Sequence, residues 1–396
     1  MKHCRDFGFW VLVQETLSVR TLTLNRPRQL NALSLEMIAR LSELLLAYEN
    51  NVNVKLIIVK GNGRAFSAGG DLATIHGHFL KGNLRFGARV SQTLLTLTFL
   101  IATLSKPQVS FLNGIVMGGG AGISVHGKFR VATENSVFAM PETDLGFFPD
   151  VGASYFLSRL PGFFGEYLGL TGANLDGAEM LACGLATHYV PSAKLSLLEE
   201  ALTCRVGSYT SSIFDLASTV SAIIDEYSLK KPALSEKSAY YKKGIIDKCF
   251  SKPTVEEILS ALEEELTKAN TRAGDHKEWL AAAIQPLKKA SPMSSKITLR
   301  SIREGRVQGI GECLVREYRI TCHILQGEIN KDCREGWRAT LWDKDKKPKW
   351  KPSKLELITD DMVEHYFSKL DGDDRDWKEL KLPTISKLPV FANSKL

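Results

Sequence analysis

Apolar and polar positions alternate near the start of the chain and then change their period. Thr21-Leu22-Thr23-Leu24 repeats every second residue, which predicts a β-strand, and Asn25-Arg26-Pro27 follows as a turn. From Ser34, a residue suited to an N-cap, apolar side chains recur at helical spacing. The stripe consists of Leu35, Ile38, Leu41, Leu45 and Tyr48. The sequence therefore predicts a strand, a turn and a helix with one buried face.

Continuous apolar runs predict further strands. Residues 56–59 (LIIV) are wholly apolar and end at Gly61-Asn62-Gly63, which is typical of a strand covered on both faces in an α/β fold. Residues 107–116 predict one more strand, and residues 129–132 and 137–139 predict two shorter ones. Helical stretches separate these runs, so the sequence indicates a mixed α/β architecture.

Glycine content divides the chain. Of 31 glycines, 21 lie between Gly61 and Gly184, and this predicts a functional site there, because glycine allows positive φ and close approach to a ligand. After about Val206 the sequence pattern is that of charged helices with periodic leucines. One such helix is predicted after Thr254, which forms a capping box with Glu257. The predicted organisation is a core over residues 1–205, a mainly helical region over residues 206–380 and an extended tail over residues 381–396.

Composition narrows the class of protein. With 396 residues, 44% apolar and 24% charged, the chain is expected to be a soluble globular protein of one or two domains. The longest apolar run, residues 93–104, contains four threonines and is too short to span a bilayer. The net charge of +7 is spread along the chain, so neither a nucleic-acid nor a membrane surface is expected. Seven scattered cysteines without a C-x-x-C pair indicate reduced thiols and no metal site.

The termini indicate a cellular compartment. The first ten residues lack the features of a secretory signal, which favours an intracellular protein. The chain ends in Ser394-Lys395-Leu396, the tripeptide that the peroxisomal import receptor reads. A given tripeptide occupies the last three positions by chance on the order of once in several thousand chains. Localisation in the peroxisome is therefore expected, and a frayed polar tail is the alternative.

Two glycine-rich turns are candidates for the site. Residues 64–72 (RAFSAGGDL) follow the strand at residues 56–59, and residues 113–124 (NGIVMGGGAGIS) run from a strand through glycines into a helix. Unpaired backbone N–H groups at such a turn can hold an oxyanion, so two facing turns would form an oxyanion hole. From either motif alone, the favoured interpretation is that the glycines only permit tight turns. Zinc-protease, P-loop, dinucleotide and serine-hydrolase motifs are absent from the sequence.

A third segment places acids among apolar residues. Residues 138–152 (FAMPETDLGFFPDVG) contain Glu142, Asp144 and Asp150. A carboxyl group in apolar surroundings resists ionisation and can act as a base, an acid or a nucleophile near neutral pH. Glu142 also fits the first turn of a helix, and Asp150 fits the N-cap of a helix over residues 151–160. The residues alone leave the catalytic and structural interpretations equally open.

The three segments together resemble the crotonase (enoyl-CoA hydratase/isomerase) superfamily, and specifically its 3-hydroxyisobutyryl-CoA hydrolase branch. The resemblance runs from about Val13 to about Trp350 and includes residues 332–336 (DCREG). It implies an α/β fold built as a spiral of ββα turns, with a helical C-terminal region. Members of the superfamily commonly form trimers through these helices, and whether this chain is a homo-oligomer is left open.

The resemblance also implies roles for individual residues. The oxyanion hole falls on the backbone amides of Ala68 and Gly119. Substrate contacts fall on Phe66, Gly69, Gly70, Asp71, Gly118 and, where some relatives carry an acid, Leu94. The first of the two glutamates of the hydratases falls at Gly122 and is absent, whereas the second is Glu142 and the hydrolase branch adds Asp150. This pattern implies thioester hydrolysis, in which Glu142 attacks the carbonyl or activates water and Asp150 binds the 3-hydroxyl group or assists proton transfer.

Three functions follow as hypotheses. The leading one is hydrolysis of 3-hydroxyisobutyryl-CoA, or of similar short 3-hydroxyacyl-CoAs, in valine catabolism, with no metal or cofactor beyond the CoA of the substrate. The alternatives are an enoyl-CoA hydratase or isomerase of β-oxidation and a non-catalytic acyl-CoA binder. His126 and His188 are isolated and are expected to be structural, and Asp144 is expected to face solvent.

Overall fold

The strands occupy the first half of the molecule. The computed structural model describes residues 10–207, 213–271, 276–370 and 377–383. The strands are β1 (Val11–Thr16), β2 (Val19–Leu24), β3 (Leu56–Gly61), β4 (Ala65–Ser67), β5 (Gln108–Leu112), β6 (Ile115–Met117), β7 (Phe129–Ala132), β8 (Val137–Ala139), β9 (Leu175–Asp176) and β10 (His188–Tyr189).

Helices connect the strands and then predominate in the rest of the described chain. Within the first half they are α1 (Leu35–Asn50), α2 (Leu72–Leu80), α3 (Arg85–Thr103), α4 (Gly119–Gly122), α5 (Ala153–Leu157), α6 (Phe164–Thr171) and α7 (Gly177–Cys183). Beyond residue 190 they are α8 (Leu195–Gly207), α9 (Ile213–Tyr227), α10 (Lys243–Phe250), α11 (Val255–Thr271), α12 (Lys277–Lys289), α13 (Pro292–Gly305), α14 (Ile310–Gln326), α15 (Asp332–Trp337) and α16 (Asp360–Phe367). The boundary predicted at residues 205/206 stays a prediction.

The strands form two sheets that share one winding pattern. One sheet has the order β1-β2-β3-β5-β7-β10 and the other has the order β4-β6-β8-β9. Each of the pairs β3 and β4, β5 and β6, and β7 and β8 places its first strand in the six-stranded sheet and its second in the four-stranded one. Helices follow the first two pairs, α2 and α3 after β4 and α4 after β6. This is the spiral of ββα turns that the family resemblance implies.

The six-stranded sheet is covered on both faces. Along β3, Ile57 and Val59 belong to the large core that also contains α1 and α3. Leu56 and Ile58 face the other way, into a second cluster formed with α8 and α9. The interpretation of residues 56–59 as a strand buried on both faces is therefore confirmed. No helix among the described residues is long and apolar enough to cross a membrane.

Local signals place several elements correctly. The Ser34 hydroxyl accepts a hydrogen bond from the Met37 amide at 3.3 Å and caps α1 as expected. The strands predicted at residues 129–132 and 137–139 are β7 and β8. Five cysteines, which are Cys183, Cys249, Cys313, Cys322 and Cys333, are buried thiols, as the sequence predicts.

Two predicted elements have different bounds. Residues 107–116 form two strands in different sheets, because the chain turns at Gly114, where φ is +97° and a Cβ atom would lie 2.2 Å from the Arg64 carbonyl oxygen. The helix expected over residues 151–160 is the shorter α5, and its N-cap is Gly152 with φ of +81°. The structural interpretation of Asp150 as an N-cap is therefore wrong.

Candidate active site

A cavity of about 150 Å³ lies where the two glycine turns, the acidic segment and the C-terminal helices meet. Its walls are mostly apolar. They are formed by Ala68, Gly69, Gly70, Leu72, Ile75, Gly87, Val90, Ser91, Leu94, Met117, Gly118, Gly119, Pro141, Glu142, Leu145, Phe147, Asp150, Thr321, Leu325 and Trp337.

The glycine turns bring backbone close to the acidic segment. Gly69 has φ of +101° and Gly118 has φ of +48°, conformations that favour glycine. A Cβ atom on Gly118 would lie 3.0 Å from Oε1 of Glu142. The carboxyl group of Glu142 therefore lies against the second turn, which only glycine leaves open.

Two backbone amides at these turns are available to a ligand. The Gly70 amide has no hydrogen-bond acceptor among the described residues, and a Cβ atom on Gly119 would lie 3.3 Å from the Gly70 nitrogen. The Gly119 amide, the first of α4, also has no acceptor in the described part of the chain. Two neighbouring N–H groups at the wall of a cavity can stabilise an oxyanion.

The predicted partner of Gly119 requires a correction. The Ala68 amide donates to the Leu30 carbonyl at 2.9 Å, so it is not available to a substrate although Ala68 lines the cavity. The structure places the donor pair at Gly70 and Gly119 instead. Leu30 lies far from the turn in the sequence, and nothing in the motif indicates that its carbonyl takes the Ala68 amide.

The two acids predicted as catalytic share the cavity. Glu142 is 8% exposed, begins a 3-10 helix (Glu142–Leu145), and its Oε2 has no hydrogen-bond partner among the described residues. Burial, and after it the charge of Asp150, raise the pKa of Glu142 well above its usual value. Burial, and after it the charge of Glu317, raise the pKa of Asp150 to about 8. A pair of acids that resist ionisation in this way can accept and return a proton near neutral pH.

The remaining predicted contacts divide into two groups. Gly69, Gly118 and Leu94 line the cavity, and Leu94 is 6% exposed. Phe66 and Asp71 do not line it. Phe66 is wholly buried in the core, whereas Asp71 caps α2 and forms an ion pair with Arg26 at 2.9 Å. The predicted contact of Phe66 and Asp71 with substrate is therefore not reproduced at the cavity wall.

The position of the absent glutamate is filled. A Cβ atom on Gly122 would lie 2.5 Å from the Cβ atom of Val151 and 3.2 Å from the Thr98 hydroxyl. A longer side chain has no room there unless Val151 moves. The structure thus gives a steric reason for the single-glutamate pattern seen in the sequence.

The C-terminal helices supply residues that the sequence does not reveal. Thr321 and Leu325 on α14 and Trp337 on α15 line the cavity. The hydroxyl groups of Thr321 and of Ser91 on α3 are buried without a hydrogen-bond partner among the described residues. No local signal could find them, because they reach the cavity only through the packing of α14 on α3.

Three polar residues near the motifs have structural partners. Asp144 lies 3.6 Å from the Lys289 ammonium group and does not line the cavity. His126 hydrogen-bonds the Val151 carbonyl at 3.0 Å, and His188 contacts the Thr187 hydroxyl at 2.8 Å. These contacts support the expected structural roles of the two histidines. No cluster of three potential metal-ligating side chains occurs within the described ranges.

Comparisons with known proteins agree with this architecture. The chain matches the enoyl-CoA hydratase/isomerase family over residues 19–367. It is 58% identical to 3-hydroxyisobutyryl-CoA hydrolase 1 of Arabidopsis thaliana, over 98% of this chain and 97% of that protein. A solved carnitinyl-CoA dehydratase from Mycobacterium thermoresistibile is 34% identical with a TM-score of 0.79, covering 94% of this chain and 98% of its own. A solved enoyl-CoA hydratase from Rhodobacter sphaeroides is 31% identical with a TM-score of 0.78, and the match covers 91% of this chain and 97% of that chain. These likenesses confirm the predicted fold class.

Proposed function

The chain belongs to the enoyl-CoA hydratase/isomerase family, and we propose that it is an acyl-CoA thioester hydrolase that converts 3-hydroxyisobutyryl-CoA to 3-hydroxyisobutyrate and CoA. Relatives of that name are 57% and 58% identical over nearly the full chain. The observation that carries the proposal is the pair Glu142 and Asp150 at one small cavity with the free amides of Gly70 and Gly119.

The geometry supports a simple sequence of events. The thioester oxygen accepts hydrogen bonds from the Gly70 and Gly119 amides, which stabilise the negative charge that grows on it. Glu142 then attacks the carbonyl carbon to form an anhydride, which water later cleaves, or removes a proton from water that attacks the same carbon. In both routes the C–S bond breaks, and the CoA thiolate takes up a proton. Asp150 binds the 3-hydroxyl group or carries that proton. The protein needs no metal or further cofactor in this scheme.

Hydration of a double bond fits the cavity less well. In the hydratase pattern the first of two glutamates falls at Gly122, and Val151 occupies the space that its side chain needs. Glu142 is left as the single glutamate at the cavity wall. The carboxyl group that the hydratase pattern places at Gly122 is therefore missing, and the acid pair that remains favours hydrolysis.

Thiol release tests the proposal directly. The purified chain is incubated with 3-hydroxyisobutyryl-CoA and, separately, with crotonyl-CoA, beside Glu142→Gln and Asp150→Asn variants. Fast release of CoA from the hydroxyacyl thioester, lost in the Glu142→Gln variant, is the expected result. Loss of crotonyl-CoA absorbance without thiol release would replace hydrolysis by hydration, and binding of both esters without turnover would make the chain a non-catalytic binder.

The proposal extends to pathway and compartment. Hydrolysis of this thioester belongs to valine breakdown, and the terminal Ser394-Lys395-Leu396, which lies outside the described residues, is a peroxisomal address. A fluorescent protein that carries the last twelve residues of the chain is expected to enter peroxisomes. The same fusion without the final leucine is the control, and cytosolic fluorescence from both would contradict peroxisomal import.

A further inference from the structure

The residue after Asp150 has an uncommon backbone conformation. Val151 has φ of +56°, in the left-handed region that β-branched residues rarely adopt. Such a conformation persists only where neighbouring groups impose it. Val151 is wholly buried, and its side chain lies against Gly122. The conformation of Val151 therefore affects the orientation of the neighbouring Asp150 and also places the Val151 side chain in the space beside Gly122.

Two side chains from other elements hold this segment. His126 donates from Nε2 to the Val151 carbonyl at 3.0 Å. Glu317, wholly buried on α14, accepts from the Gly152 amide at 2.6 Å, and from the Ser154 amide and hydroxyl at 3.0 and 2.6 Å. Four hydrogen bonds thus converge on the residues that directly follow Asp150.

The donor role of His126 is constant near neutral pH. A carbonyl only accepts, so Nε2 must carry the proton. Burial lowers the pKa of His126 to about 4, which keeps the ring neutral and leaves that N–H in place. His126 also lies close to Gly152, where a Cβ atom would come within 2.4 Å of Nε2.

We infer that Glu317 and His126 are positioning residues for Asp150, which act by holding Val151 in its left-handed conformation. Neither residue lines the cavity, so neither contacts a bound substrate. His126 acts through the segment that it binds, and Glu317 acts through that segment and through the effect of its charge on the pKa of Asp150. The inference rests on the proposed function, in which the Asp150 carboxyl group takes part in turnover. It also gives Glu317, a buried acid without an ion pair within 4 Å in the described structure, a definite task.

Glu317→Gln is the main test. The variant keeps the size of the side chain but replaces one accepting oxygen by an N–H donor that faces a backbone amide. We expect kcat/KM for 3-hydroxyisobutyryl-CoA to fall about 100-fold, the scale of a 1 Å misplacement of a reacting group. His126→Phe is expected to lower it as well, and His126→Gln, which keeps an N–H donor, to recover most of the activity.

Glu179→Gln is the matched control. Glu179 on α7 is also a buried acid that accepts from a backbone amide, Ala239 at 3.1 Å, and from the Ser238 hydroxyl, but it lies away from the cavity. Its variant is expected to lose stability and to keep kcat/KM per folded molecule. Equal losses in the Glu179 and Glu317 variants would overturn the inference.

A double-mutant cycle separates positioning from a general structural role. Glu317→Gln added to Asp150→Asn is expected to lower kcat/KM no further, within about 2-fold, because Asp150 no longer contributes. If Glu317→Gln lowers kcat/KM by the same factor in the wild-type chain and in Asp150→Asn, the inference is overturned. Where Glu317→Gln does not fold, Ser154→Ala removes a single donor and is expected to give a loss of a few-fold with the same dependence on Asp150.

Crystal structures make the inference independent of the proposed activity. In Glu317→Gln we expect Val151 to relax to negative φ and the Asp150 carboxyl group to leave the cavity wall. An unchanged segment in the variant would overturn the inference. If the wild-type chain cleaves no thioester, the proposed function fails, and the comparison of the two crystal structures still decides whether Glu317 holds the segment.

Discussion

The position of the Glu142 carboxyl group depends on Gly118, which has no side chain and so leaves room for it. Gly118→Ala adds a Cβ atom 3.0 Å from Oε1 of Glu142 and forces a non-glycine residue to φ of +48°. We expect kcat/KM to fall by about 100-fold because the carboxyl group moves. Gly184→Ala is the control, since Gly184 also has positive φ, +89°, but open space around it. Steady-state kinetics of both variants check this, and equal activity in both would contradict it.

The pH dependence of turnover follows from the two raised pKa values. Glu142 must lose its proton to act as nucleophile or base, and burial and the charge of Asp150 raise its pKa, so kcat/KM is expected to rise with pH above the usual titration range of a glutamate. Asp150 contributes to the high pKa of Glu142, so Asp150→Asn lowers that pKa and moves the rise to lower pH. Initial rates of both proteins from pH 5 to 10 measure the position of this rise in kcat/KM.

Asp144→Asn is the matched control for the pH profile. Asp144 lies beside Lys289 and outside the cavity, so its removal should leave the position of the rise unchanged. A profile that Asp150→Asn does not move, or that Asp144→Asn moves equally, would show that Asp150 is not the group coupled to Glu142.

At single positions, the sequence indicates which chemical groups are present better than it indicates how they are arranged in space. Glu142, Asp150 and Gly119 all line the cavity. Ala68 was expected to donate to the oxyanion, but its amide is taken by Leu30, a contact between segments that no motif encodes. A backbone donor is available only if nothing else in the fold accepts from it, and that depends on the whole tertiary structure.

At the scale of elements, α14 connects two parts of the site. Glu317 on this helix holds the segment after Asp150, and one turn later Thr321 lines the cavity. The Thr321 hydroxyl is buried without a hydrogen-bond partner among the described residues, and a buried hydroxyl group without a partner is unfavourable. A polar group of the substrate that meets it would therefore contribute to binding.

Thr321→Val tests that contribution with little change of shape. Loss of one hydrogen bond of about 1 kcal/mol corresponds to a rise in KM for 3-hydroxyisobutyryl-CoA of about 5-fold. Thr298→Val is the control, because Thr298 is equally buried on α13 and its hydroxyl also lacks a described partner, but it does not line the cavity. Titration calorimetry with CoA esters gives a second measurement. No change in Thr321→Val, or the same change in Thr298→Val, would exclude a substrate contact.

Prediction of elements succeeds where the signal is local. The N-cap at Ser34 and the apolar run of β3 are readable because each is fixed by neighbouring residues. The division of residues 107–116 into β5 and β6 is not readable in this way, because the need for glycine at the turn comes from the Arg64 carbonyl of another segment, 2.2 Å from where a Cβ atom of residue 114 would lie. Helix α5 begins later than predicted, and the Gly152 and Ser154 amides at its start donate to Glu317, which lies far away in the sequence.

At the scale of the whole molecule, the two buried acids at the cavity, Glu142 and Asp150, oppose folding. In the folded chain the pKa of Asp150 is raised from 3.8 to about 8, so between these values the folded state binds a proton that the unfolded state has lost. The folded state is then penalised more strongly as the pH rises, and the penalty levels off above about pH 8. An acid buried where it resists ionisation lowers the free energy of unfolding, and the packing of both sheets and the C-terminal helices offsets this loss.

Asp150→Asn should therefore be more stable than the wild-type chain, with a difference that grows from pH 5 to pH 8. Asparagine does not titrate, so the penalty disappears while the shape of the side chain is kept. Because Asp150 borders the cavity, we expect about 1–2 kcal/mol at pH 8, or a few degrees in Tm. Thermal unfolding at pH 5, 6.5 and 8 measures the difference. A variant that is less stable at pH 8, or a difference independent of pH, would show that the Asp150 carboxyl group ionises freely in the folded protein.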